Sequence, residues 1–162
     1  MFRLREVSVR IIYYSYWGTY AAYLMAALHA GIYPTKELPS HDRINRQYEL
    51  CRRYAEQAGN LIYVGLDDRL REVYSLGCRQ HGAMLVRAIR NMNAVFEIQE
   101  PVRFFHAGHQ EGILPYFLQH ILQFRKGSRS AEWFHAWFRR HYKACTRAVD
   151  EAKQSLKDGK IE

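Results

Sequence analysis

The segment IIYYSYWGTYAAYLMAALHAG, Ile11–Gly31, changes its character halfway along. The residues of Val7–Tyr14 are mostly β-branched or aromatic, and they predict a buried strand. Ala21–His29 is rich in Ala, Leu and Met, which favour a helix. Ser15–Tyr20 lies between the two and is called the site loop below. The segment therefore predicts a strand, a tight turn and a helix in direct succession.

The site loop has the features of an anion-binding turn. Gly18 can adopt backbone angles that are closed to other residues, and Thr19 can cap the following helix. Free backbone N–H groups and the positive end of the helix dipole converge at such a turn. The predicted ligand-binding residues are Ser15, Trp17, Gly18, Thr19, Tyr20 and, as a guanidinium partner for phosphate oxygens, Arg79.

Two known phosphate-binding motifs are absent from the site loop. It lacks the Gly-x-x-x-x-Gly-Lys-Ser/Thr sequence of a nucleotide P-loop. It also has Ser15 where a phosphatase loop has its Cys. The alternative to anion binding is an ordinary strand–helix connection whose aromatic rings pack on their neighbours.

Length and composition suit one basic domain. The chain has 162 residues, a formal charge of +8 and a pI of about 9.5. We expect an α/β domain over residues 1–125, with the amphipathic helix of residues 126–162 packed on the same domain. The charge permits acidic partners, such as a phosphorylated small molecule or an acidic protein, without requiring one.

The sequence favours a cytoplasmic location. The longest apolar run, around residues 21–32, contains His29 and is shorter than the ~20 residues that span a bilayer. The N-terminus is charged and has no signal-peptide pattern. Cys51, Cys78 and Cys145 are far apart and odd in number, which indicates reduced thiols rather than a disulfide framework or a metal site. The sequence does not identify a cofactor.

Periodicity along the chain predicts strands alternating with helices, an arrangement typical of an α/β fold with three layers. We expect a small, mostly parallel sheet with an antiparallel hairpin edge, helices on both faces and a C-terminal helical hairpin. The predicted strands are 3–14, 61–65, 72–77 and 101–106, and the predicted helices are 18–30, 41–58, 82–96, 112–124 and 130–156. Ser40 and Ser130 are the predicted caps of the second and last helices. The predicted inward face of the third helix comprises Met84, Leu85, Ala88, Ile89, Met92, Val95 and Phe96.

Several strings resemble a known family. IYYSYWGTYAA, followed by AALHAGIYP, resembles the opening of the family catalogued as domain of unknown function three-one-eight-nine, found mainly in spore-forming Firmicutes. The resemblance continues through YVGLD, EVYSLG and RAI, and covers residues 10–96 well and the C-terminal helices loosely. It implies a fold and no reaction, because the family's activity is uncharacterised.

The site loop departs from the family's pattern. Tyr14 stands where the family has His, Ser15 where it has Cys, and Trp17 where it has Gly. Tyr20 replaces a second His, and the two alanines that follow replace two serines. If the family's loop is a Cys/His catalytic or metal site, the resemblance implies that this chain binds without reacting.

A second candidate site follows the fourth predicted strand. His106, His109 and Glu111 lie at the end of the strand where open α/β sheets place ligands, and they could form an acid–base or metal cluster. Their spacing matches no known metal signature, and loop histidines are commonly just polar. His29, near the end of the first helix, is interpreted as a capping or core residue.

The last helix combines aromatic and basic residues. Its aromatic face comprises Trp133, Phe134, Trp137, Phe138 and Tyr142, and its basic face comprises Arg139, Arg140, Lys143 and Arg147. This pattern is typical of an amphipathic helix docked on a core. The other interpretations are a homodimer contact through Trp133, Trp137 and Phe138, a membrane-surface helix, or nucleic-acid binding.

The leading hypothesis is therefore a small α/β protein that binds an anionic ligand or an acidic partner at the site loop without strong catalysis. The alternatives are an enzyme that uses His106, His109 and Glu111, and a scaffolding protein that acts through the aromatic C-terminal helix.

Overall fold

A computed structural model of the protein describes residues 9–54, 57–98, 101–124 and 128–158. The strands are β1 (Arg10–Ser15), β2 (Leu61–Leu66), β3 (Glu72–Gly77) and β4 (Val102–His106). The helices are α1 (Ala21–His29), α2 (His41–Arg53), α3 (Gly82–Val95), α4 (Leu114–Phe124) and α5 (Ser128–Lys157), and a short 3-10 turn spans Gly108–Gln110.

The four strands form one mixed sheet in the order β2-β3-β1-β4. Central β1 is parallel to β3 and to β4, whereas β2 and β3 form an antiparallel hairpin with a register shift between Tyr63 and Gly65. Parallel neighbours need crossover connections, and helices supply them here. The predicted α/β fold, with a mostly parallel sheet and an antiparallel edge, is confirmed.

The sheet has two unlike faces because side chains alternate along a strand. Tyr13 stacks on Phe105 at 5.3 Å and lies 5.7 Å from the ring of His29 in α1. On the other side, Tyr14 lies 6.4 Å from the ring of Phe104, over which Arg90 of α3 is placed at 6.0 Å. Helices therefore flank both faces, as predicted. We call the side of α1 the enclosed face and the side of α3 the open face.

The core lies on the enclosed face. Every residue of α1 except Tyr23 is buried. Helix α1 is covered in turn by α5, whose buried residues include Phe134, Trp137, Phe138 and Tyr142. The aromatic face of the last helix thus docks on the core. Of the three residues predicted for a homodimer contact, Trp137 and Phe138 are inside the chain's own core and only Trp133 is exposed.

The open face corrects the prediction for α3. None of its residues is buried, and Met84, Met92, Val95 and Phe96 are all exposed. The predicted apolar positions do share a helix, but periodicity shows which residues lie on one side and not whether another element covers that side. On the enclosed face α5 supplies that cover.

Several helix starts also differ from the predictions. Helix α1 begins at Ala21 rather than Gly18, and its N-cap is Tyr20 without a side-chain capping bond. Ser40 does occupy the N-cap of α2, although its side chain makes no capping hydrogen bond. Ser130 lies inside α5, which starts at Ser128, and its hydroxyl hydrogen bonds to Tyr48 Oη at 2.6 Å. Hydroxyl residues cap only where the local backbone brings them to the free N–H groups.

Two smaller outcomes concern boundaries and thiols. The predicted first strand started at Arg3, but residues 3–8 lie outside the described residues, and the described strand begins at Arg10. Cys51, Cys78 and Cys145, all in the described part of the chain, are buried free thiols. In the portion that the structure describes, no helix is long and apolar enough to cross a membrane.

Candidate functional site

The candidate site lies at the carboxyl ends of the three parallel strands. Strand β1 lies between β3 and β4. The chain leaves β1 through α1 on the enclosed face, and it passes from β3 to β4 through α3 on the open face. In open α/β sheets a crevice forms where the connections diverge in this way. The site loop follows β1, residues 78–81 follow β3, and residues 107–112 follow β4.

Two glycines allow the site loop to touch the end of β3. Gly18 has a φ of +78°, and a Cβ placed on it would lie 2.3 Å from the backbone N of Gly77. A Cβ on Gly77 would lie 2.5 Å from the carbonyl oxygen of Trp17. The two backbones are therefore in direct contact, and neither position tolerates a side chain without displacement. The prediction that Gly18 supplies special backbone angles is confirmed.

The carboxylate of Glu111 fills the site loop. Glu111 is only 4% exposed, and its Oε1 accepts a hydrogen bond of 2.8 Å from Ser15 Oγ. The hydroxyl of Ser15 accepts in turn from the N–H of Gly18 at 3.0 Å. The backbone N–H groups of Ala21, Trp17 and Tyr16 lie near the carboxylate and favour its charged form. The predicted anion donors were the N–H groups of Gly18, Thr19 and Tyr20, but the N–H of Gly18 donates to Ser15 and the groups beside the carboxylate are those of Tyr16, Trp17 and Ala21.

Burial raises the pKa of Glu111 to about 7, despite the opposing hydrogen bonds from Ser15 and the loop amides. An enclosed carboxylate loses hydration, which penalises its ionised form. Glu111 is therefore poised to gain or lose its proton near neutral pH. Such a shift in a crevice is typical of functional groups.

Helix α5 holds the segment that carries Glu111. The indole Nε1–H of Trp137 donates to the backbone oxygen of Glu111 at 2.8 Å. Tyr20 packs against the same indole in an edge-to-face contact with centroids 5.4 Å apart. The C-terminal helix therefore links the end of the site loop to the loop that follows β4, a role that the sequence analysis missed.

The predicted ligand-binding residues are split between the mouth of the site loop and the core. Arg79 lies at the mouth, with its guanidinium 4.3 Å from the ring centroid of Trp17 and 5.3 Å from that of Tyr16. Thr19 and Tyr20 are instead buried, and Gln47 Nε2 donates to the carbonyl oxygens of both at 2.9 and 3.0 Å. The structure thus brings Ser15, Trp17, Gly18 and Arg79 together and places the side chains of Thr19 and Tyr20 in the core.

His106 and His109 form an exposed pair at the same edge of the sheet. Their rings meet edge to face at 5.0 Å, and His106 also lies 5.0 Å from the ring of Tyr14. Partial burial and the neighbouring His109 lower the pKa of His106. Glu111 hydrogen bonds to Ser15 instead of joining the two rings. Within the described ranges, no three His, Cys, Asp or Glu side chains converge in a way that could hold a metal ion.

A second buried polar network connects the last residue of α1 to β1 and to the turn between β2 and β3. His29 Nδ1 and the hydroxyl of Tyr13 hydrogen bond at 2.7 Å, and His29 Nε2 lies 3.4 Å from Asp67 Oδ2. Arg71 donates to the same carboxylate at 2.6 Å. Burial lowers the pKa of His29 to about 4, so the imidazole is neutral at physiological pH. The interpretation of His29 as a core residue is confirmed, whereas its partners Asp67 and Arg71 were not predicted.

Sequence signals for the contacts of the site are weak. Ser15 and Glu111 are both predicted site residues, but they are 96 positions apart and no local pattern connects them. Trp137 is predicted to lie on the aromatic face of the last helix or at a homodimer contact, and neither prediction places it beside Glu111. Asp67 follows β2 in the turn to β3, where two backbone N–H groups and Arg71 converge on its carboxylate, and no sequence pattern indicates this.

Comparisons with known proteins agree with the resemblance seen in the sequence. No curated protein and no solved structure matches the chain. The model of one family, described as "Protein of unknown function (DUF3189)", matches residues 10–154. This match covers both the site loop and most of α5, so the chain belongs to the DUF3189 family of uncharacterised function.

Proposed function

We propose that the protein binds an anionic ligand of the phosphate type at the site loop, without strong catalysis of its own. The observation that carries the proposal is that the loop already holds an oxyanion. Ser15 Oγ and the amides of the loop converge on the carboxylate of Glu111. A phosphate oxygen accepts hydrogen bonds from the same donors, so a ligand would take the position that Glu111 occupies.

The properties of Glu111 support this exchange. Its burial makes the ionised form costly near neutral pH, as the pKa of about 7 indicates. The segment that carries it is flanked by Gly108 and by Gly112, which has a φ of +70°. Glycines permit backbone rearrangement that other residues resist. Protonation or movement of Glu111 would then open the donors of the loop to a ligand.

Arg79 would meet the charge of such a ligand at the mouth of the loop. Its guanidinium rests on Trp17 and Tyr16, and the exposed ring of Tyr16 places this stack at the surface. A guanidinium held against aromatic rings keeps its N–H edge directed to an anion. An acidic side chain of a partner protein could use the same donors, which is the second form of this proposal.

The experiment compares the wild type with Glu111→Ala by isothermal titration with inorganic phosphate at pH 7.5. We expect phosphate to bind Glu111→Ala about tenfold more tightly, because the internal carboxylate no longer competes for the loop. Glu49→Ala removes an exposed carboxylate that pairs with Arg52 on the surface of α2, and this matched control should leave phosphate affinity unchanged. If folded Glu111→Ala binds phosphate no better than the wild type, the proposal is wrong.

The surroundings of Glu111 favour a second candidate function, a hydrolase in which Glu111 transfers a proton. Glu111 has a pKa near neutrality and shares a hydrogen bond with the hydroxyl of Ser15, and His106 and His109 lie at the same edge of the sheet. Ser15 is fully buried, which disfavours its use as a nucleophile. Hydrolysis of p-nitrophenyl phosphate that Glu111→Gln abolishes would support the enzyme over the binding protein.

A further inference from the structure

A groove on the surface of α5 shares no lining residue with the site loop. It lies between α5 and residues 35–38, which connect α1 to α2, and it encloses about 300 Å³. This volume is at the lower end of the range for small-molecule sites. We call it the basic groove. It fits a compact ligand rather than a protein domain.

Four of the nine residues that line the basic groove are cations. Arg139, Lys143 and Arg147 are spaced four residues apart on α5, so they follow one another along one face at intervals of about 6 Å. Lys36 lies on the opposite wall, and Glu37 is the carboxylate of the lining. Among the described residues, these four cations make no ion pair within 4.0 Å.

The row of cations on α5 is unfavourable by itself. Like charges four residues apart repel each other on a helix surface. Exposure to water and salt reduces that repulsion, but an anion bound between the side chains would replace it with attraction. The arrangement therefore gains most from a ligand that carries more than one negative charge.

The floor of the basic groove is apolar. Tyr142 is 4% exposed, and its hydroxyl donates to the carbonyl oxygen of Pro34, which ties the connecting segment to α5. Leu38 is 46% exposed and presents its side chain beside the cations. A ligand with a ring or sugar body could rest on these two side chains while its anionic groups meet the walls.

We infer that the basic groove binds a small molecule carrying two or more phosphate groups. The alternative of a nucleic-acid strand fits less well, because sequence-tolerant binding of single strands uses exposed aromatic rings beside the cations. Phe134, Trp137 and Phe138 are instead buried in the core. The inference does not depend on the function proposed for the site loop.

The test is isothermal titration of the wild-type protein with fructose 1,6-bisphosphate at about 150 mM salt, where weak surface attraction is screened. We expect saturable binding at one site. The double variant Arg139→Ala/Arg147→Ala should weaken binding about tenfold or more, because two charge-assisted contacts are lost. Both side chains are exposed, so the fold should be unaffected.

Arg140→Ala is the matched control. Arg140 is an exposed cation of the same helix outside the lining of the groove, and its removal should change the affinity less than about twofold. An equal loss in Arg140→Ala would show unspecific attraction and overturn the inference. So would the absence of saturable binding to the wild type, or tighter binding of a single-stranded RNA that requires the same two arginines. The site loop is identical in all these variants, so this result is independent of the phosphate experiment.

Discussion

The two faces of the sheet show how differently similar helices can be used. Helix α1 on the enclosed face buries all its residues except Tyr23, whereas α3 on the open face buries none. Both helices carry Ala, Leu, Ile or Met at helical spacing. The difference is that α5 lies over α1 and brings four large aromatic side chains to it. Burial is therefore a property of the neighbours of a helix as much as of its sequence.

The enclosed face also packs against one end of the site loop. The site loop joins β1 to the enclosed helix, and its end packs against Trp137 and Phe134 of α5. The donors around Glu111 thus adjoin the buried core, to which Tyr20, Phe134 and Trp137 belong. Close packing of this kind positions polar groups with little reorganisation.

The largest expected effect tests the contribution of α5. Trp137→Ala should lower the free energy of unfolding by about 3–5 kcal/mol, because it empties a core site and removes the hydrogen bond to Glu111. Trp133→Ala, on the same helix but 44% exposed, should cost less than about 1 kcal/mol. Urea denaturation of both variants measures the difference. Equal costs would mean that α5 does not cover α1 as described.

A matched pair of methionines compares the two faces directly. Met25 in α1 is 2% exposed, and Met92 in α3 is 56% exposed. Met25→Ala should destabilise the protein by about 2–4 kcal/mol, and Met92→Ala should lie within about 0.5 kcal/mol of the wild type. Thermal and urea unfolding provide the measurement. A large cost for Met92→Ala would show that the open face is covered in solution, for example by a second copy of the chain.

The smallest effect concerns pH and the carboxylate of the site loop. Because the pKa of Glu111 is raised to about 7 in the folded protein, the folded state holds this proton more tightly than the unfolded state does. Its contribution to stability is thus fully present below the usual carboxyl pKa of 4.5 and is lost as the pH rises from there to about 7. Between pH 5 and pH 8 the wild type should lose about 2–3 kcal/mol relative to Glu111→Gln.

Urea unfolding of the wild type and Glu111→Gln at several pH values provides this comparison. His29 contributes in the opposite direction, since its pKa is lowered to about 4 and its stabilising effect is lost as the pH falls below its usual value. Both proteins retain His29, so its contribution cancels in the difference between their free energies of unfolding at each pH. A difference in stability that does not vary with pH would show that Glu111 titrates normally.

Part of the fold was predictable because its causes are local. The β-branched and aromatic residues before Ser15 and the short apolar runs of β2 and β3 depend on neighbours within a few positions. The positive φ of Gly18 belongs to the same class, since a tight turn at the end of a strand requires it. The start of α1 was less predictable, because Thr19 is turned into the core beside Gln47 and Cys51.

The candidate site shows the same division. Ser15, Trp17 and Gly18 are neighbours in sequence, and Arg79 joins them because β1 and β3 are parallel and end at the same edge. The sequence predicts Glu111 as part of a cluster with His106 and His109 after β4, whereas its side chain hydrogen bonds to Ser15 in the site loop. The direction of the Glu111 side chain depends on which hydrogen-bond donors lie nearest to it. The tertiary packing of the loops that follow β1 and β4 decides this.

By itself, the sequence determined the alternation of strands and helices, the hairpin edge, the turn at Gly18 and the basic character of α5, because each depends on short-range backbone and side-chain preferences. The tertiary structure alone decided that Glu111 enters the site loop, that α1 is covered while α3 is open, and that a groove of about 300 Å³ lies beside the cations of α5. These features join residues far apart in the chain, and such contacts form only when distant elements compete for the same apolar surface and the same hydrogen-bond donors.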